Sequence, residues 1–155
     1  GPFGTAYFRE NHKGPIIAVA GGSGLAPIKA ILKTALNKGA QQPIIFYFGV
    51  RTNHDLYLDD DFNELSDSHR NFTFIPVISE PSSKTDYRTG FLNDAIAEDF
   101  CTADGHKAYI AGPPIMVESV VQTLKNLGIQ SEDCHADAFY TEAEKQMKGD
   151  LSARK

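Results

Sequence analysis

Short apolar runs alternate along this chain with segments of helical periodicity. Runs of strand character occupy 15–20, 43–50, 72–79, 106–112 and 134–139. The helix-like segments between them are a stretch ending at Gly39, then 55–68, 89–100 and 113–128. A continuous apolar run is typical of a parallel strand covered on both faces. The alternation therefore predicts an α/β fold, an open five-stranded parallel sheet with helices on both faces.

The helix-like segments differ in the strength of their apolar stripes. The first carries its stripe at i, i+3, i+4, i+7 and i+8, formed by Ile28, Ile31, Leu32, Ala35 and Leu36. The second has a weaker stripe of Leu58, Phe62 and Leu65 beside an acidic outer face. The fourth opens on Pro113 and Pro114, at positions where the missing N–H groups are tolerated.

Length and charge restrict the class of protein. The sequence has 155 residues and a formal net charge of −5, which suits one domain and argues against nucleic-acid binding. No apolar run approaches the ~20 residues of a membrane span, and no signal peptide is visible. We therefore expect a cytoplasmic protein without a membrane anchor.

Cysteine and histidine usage indicates no metal site. Cys101 and Cys134 form no CxxC motif, and the five histidines show no ligand spacing. Two cysteines cannot hold an iron–sulfur cluster, which typically takes four ligands. We expect reduced, structural thiols.

Ligands of open parallel sheets bind at the carboxyl ends of the strands. Four motifs follow such strand ends and therefore lie at one edge of the predicted sheet: 21–27, 49–55, 79–81 and 111–116. In the first motif, glycines allow a tight turn and close approach to a phosphate, Ser23 offers a hydroxyl, and a proline sets the first helical turn. A glycine-rich turn without a ligand is the alternative. Candidate ligand-facing residues here are Gly21, Gly22, Ser23, Gly24 and Pro27.

The other motifs supply polar groups and a second wall. Arg51, after Gly49, suits a ribose 2′-phosphate or a solvated loop, whereas Asp55 suits a free 2′-hydroxyl or a helix N-cap. Ser79 and Glu80 end the third strand. The wall is expected from Gly112, Pro113, Pro114 and Met116.

Five ordered motifs, "GGSGLAP", "FGVR", "SEP", "GPPIM" and "DAF", resemble the pyridine-nucleotide domain of the ferredoxin–NADP reductase superfamily. Within it, the chain looks most like the NADH-dependent ferredoxin reductase components of bacterial ring-hydroxylating dioxygenases of the naphthalene type. The resemblance covers roughly residues 1–140.

The resemblance implies hydride transfer from NADH, with NADPH possible, to FAD, and electron transfer to a [2Fe-2S] ferredoxin serving an aromatic-ring dioxygenase. It assigns the pyrophosphate to Gly22, Ser23, Gly24 and Pro27, the adenosine ribose to Arg51 and Asp55, and the nicotinamide side to Gly112, Pro113 and Met116. It places Phe139 against the flavin with Asp137 nearby. The implied partner is a ferredoxin or an oxygenase component, reached through the parent protein.

Two departures from the family pattern shape the expectations. Ala111 stands where many members carry a cysteine beside the nicotinamide, and the Arg-x-Tyr-Ser signature of the flavin domain is absent. We therefore expect a C-terminal fragment: 1–12 the last strand of a flavin-binding barrel, 13–140 the nucleotide domain and 141–155 a polar tail. FAD and the cluster are expected in domains outside this chain. The alternatives are a reductase for another acceptor, such as a cytochrome, and a non-catalytic nucleotide-binding module.

Overall fold

The computed structural model describes residues 8–56 and 59–139. In chain order, the elements are β1 (Ile16–Gly21), α1 (Leu25–Asn37), β2 (Ile44–Val50), α2 (Asp59–Ser68), β3 (Phe72–Ile78), β4 (Arg88–Thr89), α3 (Leu92–Asp99), β5 (Lys107–Gly112), α4 (Pro114–Asn126) and β6 (Cys134–Ala138). Single 3-10 turns lie at Gly22–Gly24, Asn53–Asp55 and Ser131–Asp133.

All strand pairs of the sheet are parallel, in the order β4-β3-β2-β1-β5-β6. The predicted parallel α/β fold is confirmed, although the sheet has six strands where five were predicted. The additional strand is β4, which pairs with the end of β3. A strand of two residues has no visible period, so the sequence pattern does not reveal it.

Two apolar layers cover the sheet. Helices α1 and α2 pack on one face, around Ile28, Phe46 and Phe62. On the opposite face lie α3 and α4, with Tyr47 and Ile96 buried among them. Side chains at odd and even positions of the central strands point to opposite faces of the sheet, and both sets are apolar. The prediction of helices on both faces is confirmed.

The second helix begins later than predicted. Residues 53–55 form a separate 3-10 turn, and α2 starts at Asp59. Of its predicted stripe, Phe62 is fully buried and Leu65 partly so, whereas Leu58 lies outside the described residues. Phe62 packs against Phe46 and Phe74, with ring centroids 4.9 and 5.0 Å away.

Before β1, the chain from residue 8 contains a turn and no strand; the amide of His12 donates to the carbonyl of Arg9. Residues 1–7 and the predicted tail, 141–155, lie outside the described residues, so the domain boundaries stay predictions. Cys101 and Cys134 are free thiols. Within the described ranges, no helix has the length and apolar character needed to cross a membrane.

Candidate functional site

A groove with a volume of about 360 Å³ runs along the carboxyl ends of the central strands, on the side of α3 and α4. It lies by the point where the strand order reverses, between β1 and β5, which is where open parallel sheets bind ligands. Its lining comprises Gly21, Gly22, Gly49, Val50, Arg51, Val77, Ser79, Gly90, Phe91, Leu92, Asn93, Pro113, Ile115, Met116, Ser119 and Val120.

The glycine turn after β1 opens into this groove. Gly22 has a φ of +53°, a conformation that side chains disfavour, and no atom lies within 4 Å of the place a Cβ would occupy. The backbone at this point is therefore open to close approach by a ligand. The predicted hydroxyl contact of Ser23 involves a side chain outside the described part of the structure.

Gly24 and Pro27 do not line the groove. A Cβ on Gly24 would overlap the carbonyl of Ala111 in β5, so this glycine allows α1 to pack closely on the sheet. Pro27 is half-buried in the first turn of α1. Of the two glycines, Gly22 thus borders the groove, whereas Gly24 has a packing role, and the pyrophosphate contact stays a prediction.

The opposite side of the groove is the start of α4. Pro113 precedes the helix and Pro114 is its first residue, as the sequence indicates. Met116 lies against Gly21 and Gly112, filling the space above the tips of β1 and β5. Ile115 is 80% exposed at the rim. This wall is apolar because Pro113, Ile115 and Met116 line it, and the prolines open the helix without losing a hydrogen bond.

The polar groups after β2 are already paired. Arg51 Nε lies 3.4 Å from Glu80 Oε2, and the side chains are 74% and 69% exposed. The amide of Glu80 donates to the carbonyl of Arg51 at 2.7 Å, which fixes the two loops side by side. Asp55 Oδ2 accepts hydrogen bonds from the backbone amide and hydroxyl of Thr52. Asp55 is thus the third residue of a small turn, and the N-cap alternative for α2 is wrong.

The three predicted catalytic positions lie together at the ends of β5 and β6. Ala111 is paired in register with Asp137, and the amide of Phe139 donates to the carbonyl of Gly112 at 2.8 Å. Ala111 is buried, whereas Phe139 is half-buried against the α1 layer. Phe139 is accordingly held at the carboxyl edge of the sheet, and its role beside a flavin stays a prediction.

The sequence did not indicate the wall formed by residues 90–93. Phe91 precedes α3 and is 64% exposed in the groove. Leu92 packs on Gly49, which brings the start of α3 onto the tip of β2. The local sequence, "TGF", is typical of an ordinary helix start, so it does not distinguish a ligand-facing wall. Ser119, on α4, was missed as well.

Comparison with known proteins identifies the fold. The family model described as an oxidoreductase NAD-binding domain matches residues 18–122. The chain belongs to this NAD-binding domain family. The matched region runs from β1 into α4, so it contains the glycine turn and both walls of the groove.

Two relatives of this NAD-binding domain are named as a reductase component and a reductase subunit. The naphthalene 1,2-dioxygenase system ferredoxin–NAD(P)+ reductase component of Pseudomonas putida is 42% identical over 140 residues, 90% of this chain and 43% of that protein. The aromatic O-demethylase reductase subunit of an Amycolatopsis species is 35% identical over 142 residues, 90% of the chain and 42% of that protein. The NAD-binding domain thus spans less than half the length of these relatives.

A solved structure agrees with the sequence comparison. The crystal structure of the Amycolatopsis cytochrome P450 reductase GcoB matches with a TM-score of 0.79 and 36% identity, over 84% of this chain and 39% of that one. The resemblance to the ferredoxin–NADP reductase superfamily is confirmed. Among the described residues, no cluster of three or more metal-ligating side chains occurs.

Proposed function

We propose that this domain binds NADH along the carboxyl-edge groove. The observation that carries the proposal is the open backbone of Gly22, at a positive φ, beside the reversal point of the strand order. A pyrophosphate accepts hydrogen bonds from such exposed amides at the start of a helix. The groove beyond it is apolar and suits the flat rings of a dinucleotide.

The reduced nicotinamide supplies a hydride, and the chain supplies position. Met116 and Pro113 form a firm apolar surface above the tips of β1 and β5. We infer that Gly112, Pro113 and Met116 face the nicotinamide side, and that Phe139, next to Ala111 and Asp137, faces a flavin. Hydride transfer depends on stacking and distance, so a buried alanine at position 111 is compatible with it.

NADH is the proposed coenzyme, with NADPH tolerated. Among the described residues that line the groove, Arg51 is the one cation, and Glu80 offsets its charge. The carboxylate of Asp55 adds negative charge to the same loop region. The 2′-phosphate of NADPH is negatively charged, and the positive charge of Arg51 near it is already offset by carboxylates.

For the parent protein we propose an oxidoreductase that holds FAD in a neighbouring domain and passes electrons, through a [2Fe-2S] carrier, to a ferredoxin or oxygenase component in the cytoplasm. The names of the Pseudomonas and Amycolatopsis relatives, a ferredoxin–NAD(P)+ reductase component and a reductase subunit, support the reductase activity in this proposal. A cytochrome acceptor is the second candidate, because the structural relative with a TM-score of 0.79 is named a cytochrome P450 reductase.

Titration calorimetry of the 155-residue chain tests the binding proposal. NADH should bind in a 1:1 ratio, and NADPH should bind more weakly. Free nicotinamide mononucleotide is the control, because it lacks the adenosine half that reaches Arg51. A chain that folds but binds neither dinucleotide contradicts the proposal.

A further inference from the structure

A hydrogen-bonded network lies behind the wall that carries Phe91. Arg88, in β4, donates from Nη1 to Asp99 Oδ2 at 2.6 Å and from Nη2 to Glu98 Oε2 at 2.7 Å and the carbonyl of Ala95 at 3.1 Å. Tyr47 donates its hydroxyl to the same Asp99 oxygen at 2.6 Å. One guanidinium group thus joins β4 to the last turn of α3, and one phenol joins α3 to β2.

The network is partly removed from water. Tyr47 is fully buried in β2, and the Arg88 and Asp99 side chains are 27% and 30% exposed. Burial, followed by the hydrogen bond to Asp99, raises the pKa of Tyr47, so the phenol stays a donor. Burial alone would raise the pKa of Asp99, but hydrogen bonds from Arg88 and Tyr47 outweigh it and lower that pKa. Such charge-assisted bonds are short and directional.

The network does not contact the groove, since none of Tyr47, Arg88 and Asp99 lines it. It instead restrains residues 90–93, which do line the groove. The connection between β3 and β4, residues 79–87, contains neither helix nor strand. After it, the chain is held by the short pairing of β4 with β3 and by the amide of Gly90, which donates to the carbonyl of Ile78 at 2.9 Å.

Strand β4 lies at the edge of the sheet and pairs with β3 at only two positions, so its ladder contributes few hydrogen bonds. Arg88 adds three hydrogen bonds from β4 to α3, and Phe91 follows three residues later. The exposed Phe91 ring is therefore held by the hydrogen bonds of Arg88 together with the short ladder and the packing of Leu92 on Gly49.

We propose that Arg88 is a positioning residue for coenzyme binding: through Asp99 and Tyr47 it holds β4 and α3 so that Phe91 forms the wall of the groove. The proposal rests on the proposed NADH-binding function. It assigns to Arg88 no contact with the coenzyme and no part in hydride transfer.

The test is NADH affinity, measured by calorimetry on the 155-residue chain. Arg88→Gln should weaken binding about fivefold, because the wall loses its fixed position. Arg88→Lys, which keeps the charge and one donor direction, should restore part of the affinity. Tyr47→Phe, which removes a single hydroxyl, should also weaken NADH binding, but less than Arg88→Gln. If Arg88→Gln does not fold, Arg88→Lys and Tyr47→Phe provide the test.

A double-mutant cycle separates positioning from other roles. Phe91→Ala should weaken binding by itself, and adding Arg88→Gln to it should have little further effect, since the ring that Arg88 positions is gone. An undiminished effect of Arg88→Gln in the Phe91→Ala background overturns the proposal. Hydrogen exchange at the Gly90 amide should accelerate in Arg88→Gln while amides of β1 keep their protection.

The matched control is Lys107→Gln. It removes an ion pair of similar burial, Lys107 with Asp133 at 3.1 Å, at the start of β5, away from the groove. NADH affinity should be unchanged in this control. The positioning role is overturned if Arg88→Gln and Lys107→Gln lose the same NADH affinity, or if a folded Arg88→Gln binds NADH as tightly as the wild type. In both cases the NADH-binding proposal still holds, because the wild type binds. Absence of binding by the wild type overturns both.

Discussion

Glycines that look alike in the sequence have different tasks in this domain. Gly22 and Gly24 are two residues apart in the same turn. At Gly22 the backbone has a positive φ and faces open space, whereas Gly24 has a helical conformation and touches the carbonyl of Ala111. A phosphate-binding role therefore fits Gly22, and the packing of α1 on β5 requires Gly24.

Substitution by alanine should separate these two tasks. Gly22→Ala costs about 1–2 kcal/mol for the left-handed conformation and places a methyl group in the ligand space, so NADH affinity should fall about tenfold or more in a folded chain. Gly24→Ala should instead lower the melting temperature markedly, because the new Cβ overlaps backbone. Calorimetry and thermal unfolding by circular dichroism measure the two effects. The reverse pattern would contradict the assignment.

Glu80 should control the choice of coenzyme. Glu80→Gln removes the partner of Arg51, so the guanidinium group becomes available to a 2′-phosphate. The affinity for NADPH should rise up to about fivefold relative to NADH, the range of a solvent-exposed ion pair. Glu132→Gln, on the exposed turn before β6, is the control. An unchanged ratio of NADH to NADPH affinity would show that Arg51 does not face the ribose.

At the level of elements, the pairing of β5 with β6 should depend on pH. His135 stacks on Tyr109 at 5.6 Å between centroids and lies 3.5 Å from Lys107 Nζ. Burial, with the charges of Arg9 and Lys107, lowers the pKa of His135 from 6.5 to about 4. Below pH 6.5 the unfolded chain binds a proton that the folded chain does not, so stability should fall until about pH 4.

Urea unfolding between pH 4 and pH 8 measures this dependence. His135→Gln cannot take up the proton, so the decrease in the free energy of unfolding below pH 6.5 should be smaller in the variant. Comparison of the two proteins at pH 7.5, where His135 is neutral in both states, isolates the loss of packing. Identical pH profiles for the variant and the wild type would exclude His135 as the cause.

For the molecule as a whole, we propose that this domain binds NADH and that a neighbouring domain binds FAD. The isolated chain should therefore bind NADH without oxidising it. The described fold has a groove on the α3 and α4 side of the carboxyl edge, and Phe139 lies at the same edge of the sheet, against the α1 layer. The flat flavin ring system needs a further surface to stack on and donors for its phosphates, which we assign to a neighbouring domain.

Residues 1–155 alone should therefore be colourless, folded and able to bind NAD(H), but inactive in ferricyanide or cytochrome reduction. Joining the chain to a flavin-binding domain of a reductase relative should restore yellow colour and turnover together. Stoichiometric FAD on the purified chain, measured by its visible absorbance, or oxidation of NADH by the chain alone, would contradict the division.

The five longer strands, the four helices and the glycine turn follow from local pattern. A parallel strand buried on both faces must be apolar throughout, and a helix on a sheet must carry a stripe, so both signals lie within a few consecutive residues. The turn motifs lie where strands end, and parallel strands bring their carboxyl ends to one edge. The sequence alone therefore places the groove at that edge.

The walls of the groove, and the partners of its polar groups, depend on residues far apart in the chain. Tyr47, Arg88 and Asp99 meet because β2, β4 and α3 pack together, and no local period encodes that contact. The pairing of Arg51 with Glu80 follows from the register of β2 against β3. Folding sets both, since side-chain distances across a sheet are determined by strand order and register rather than by spacing along the chain.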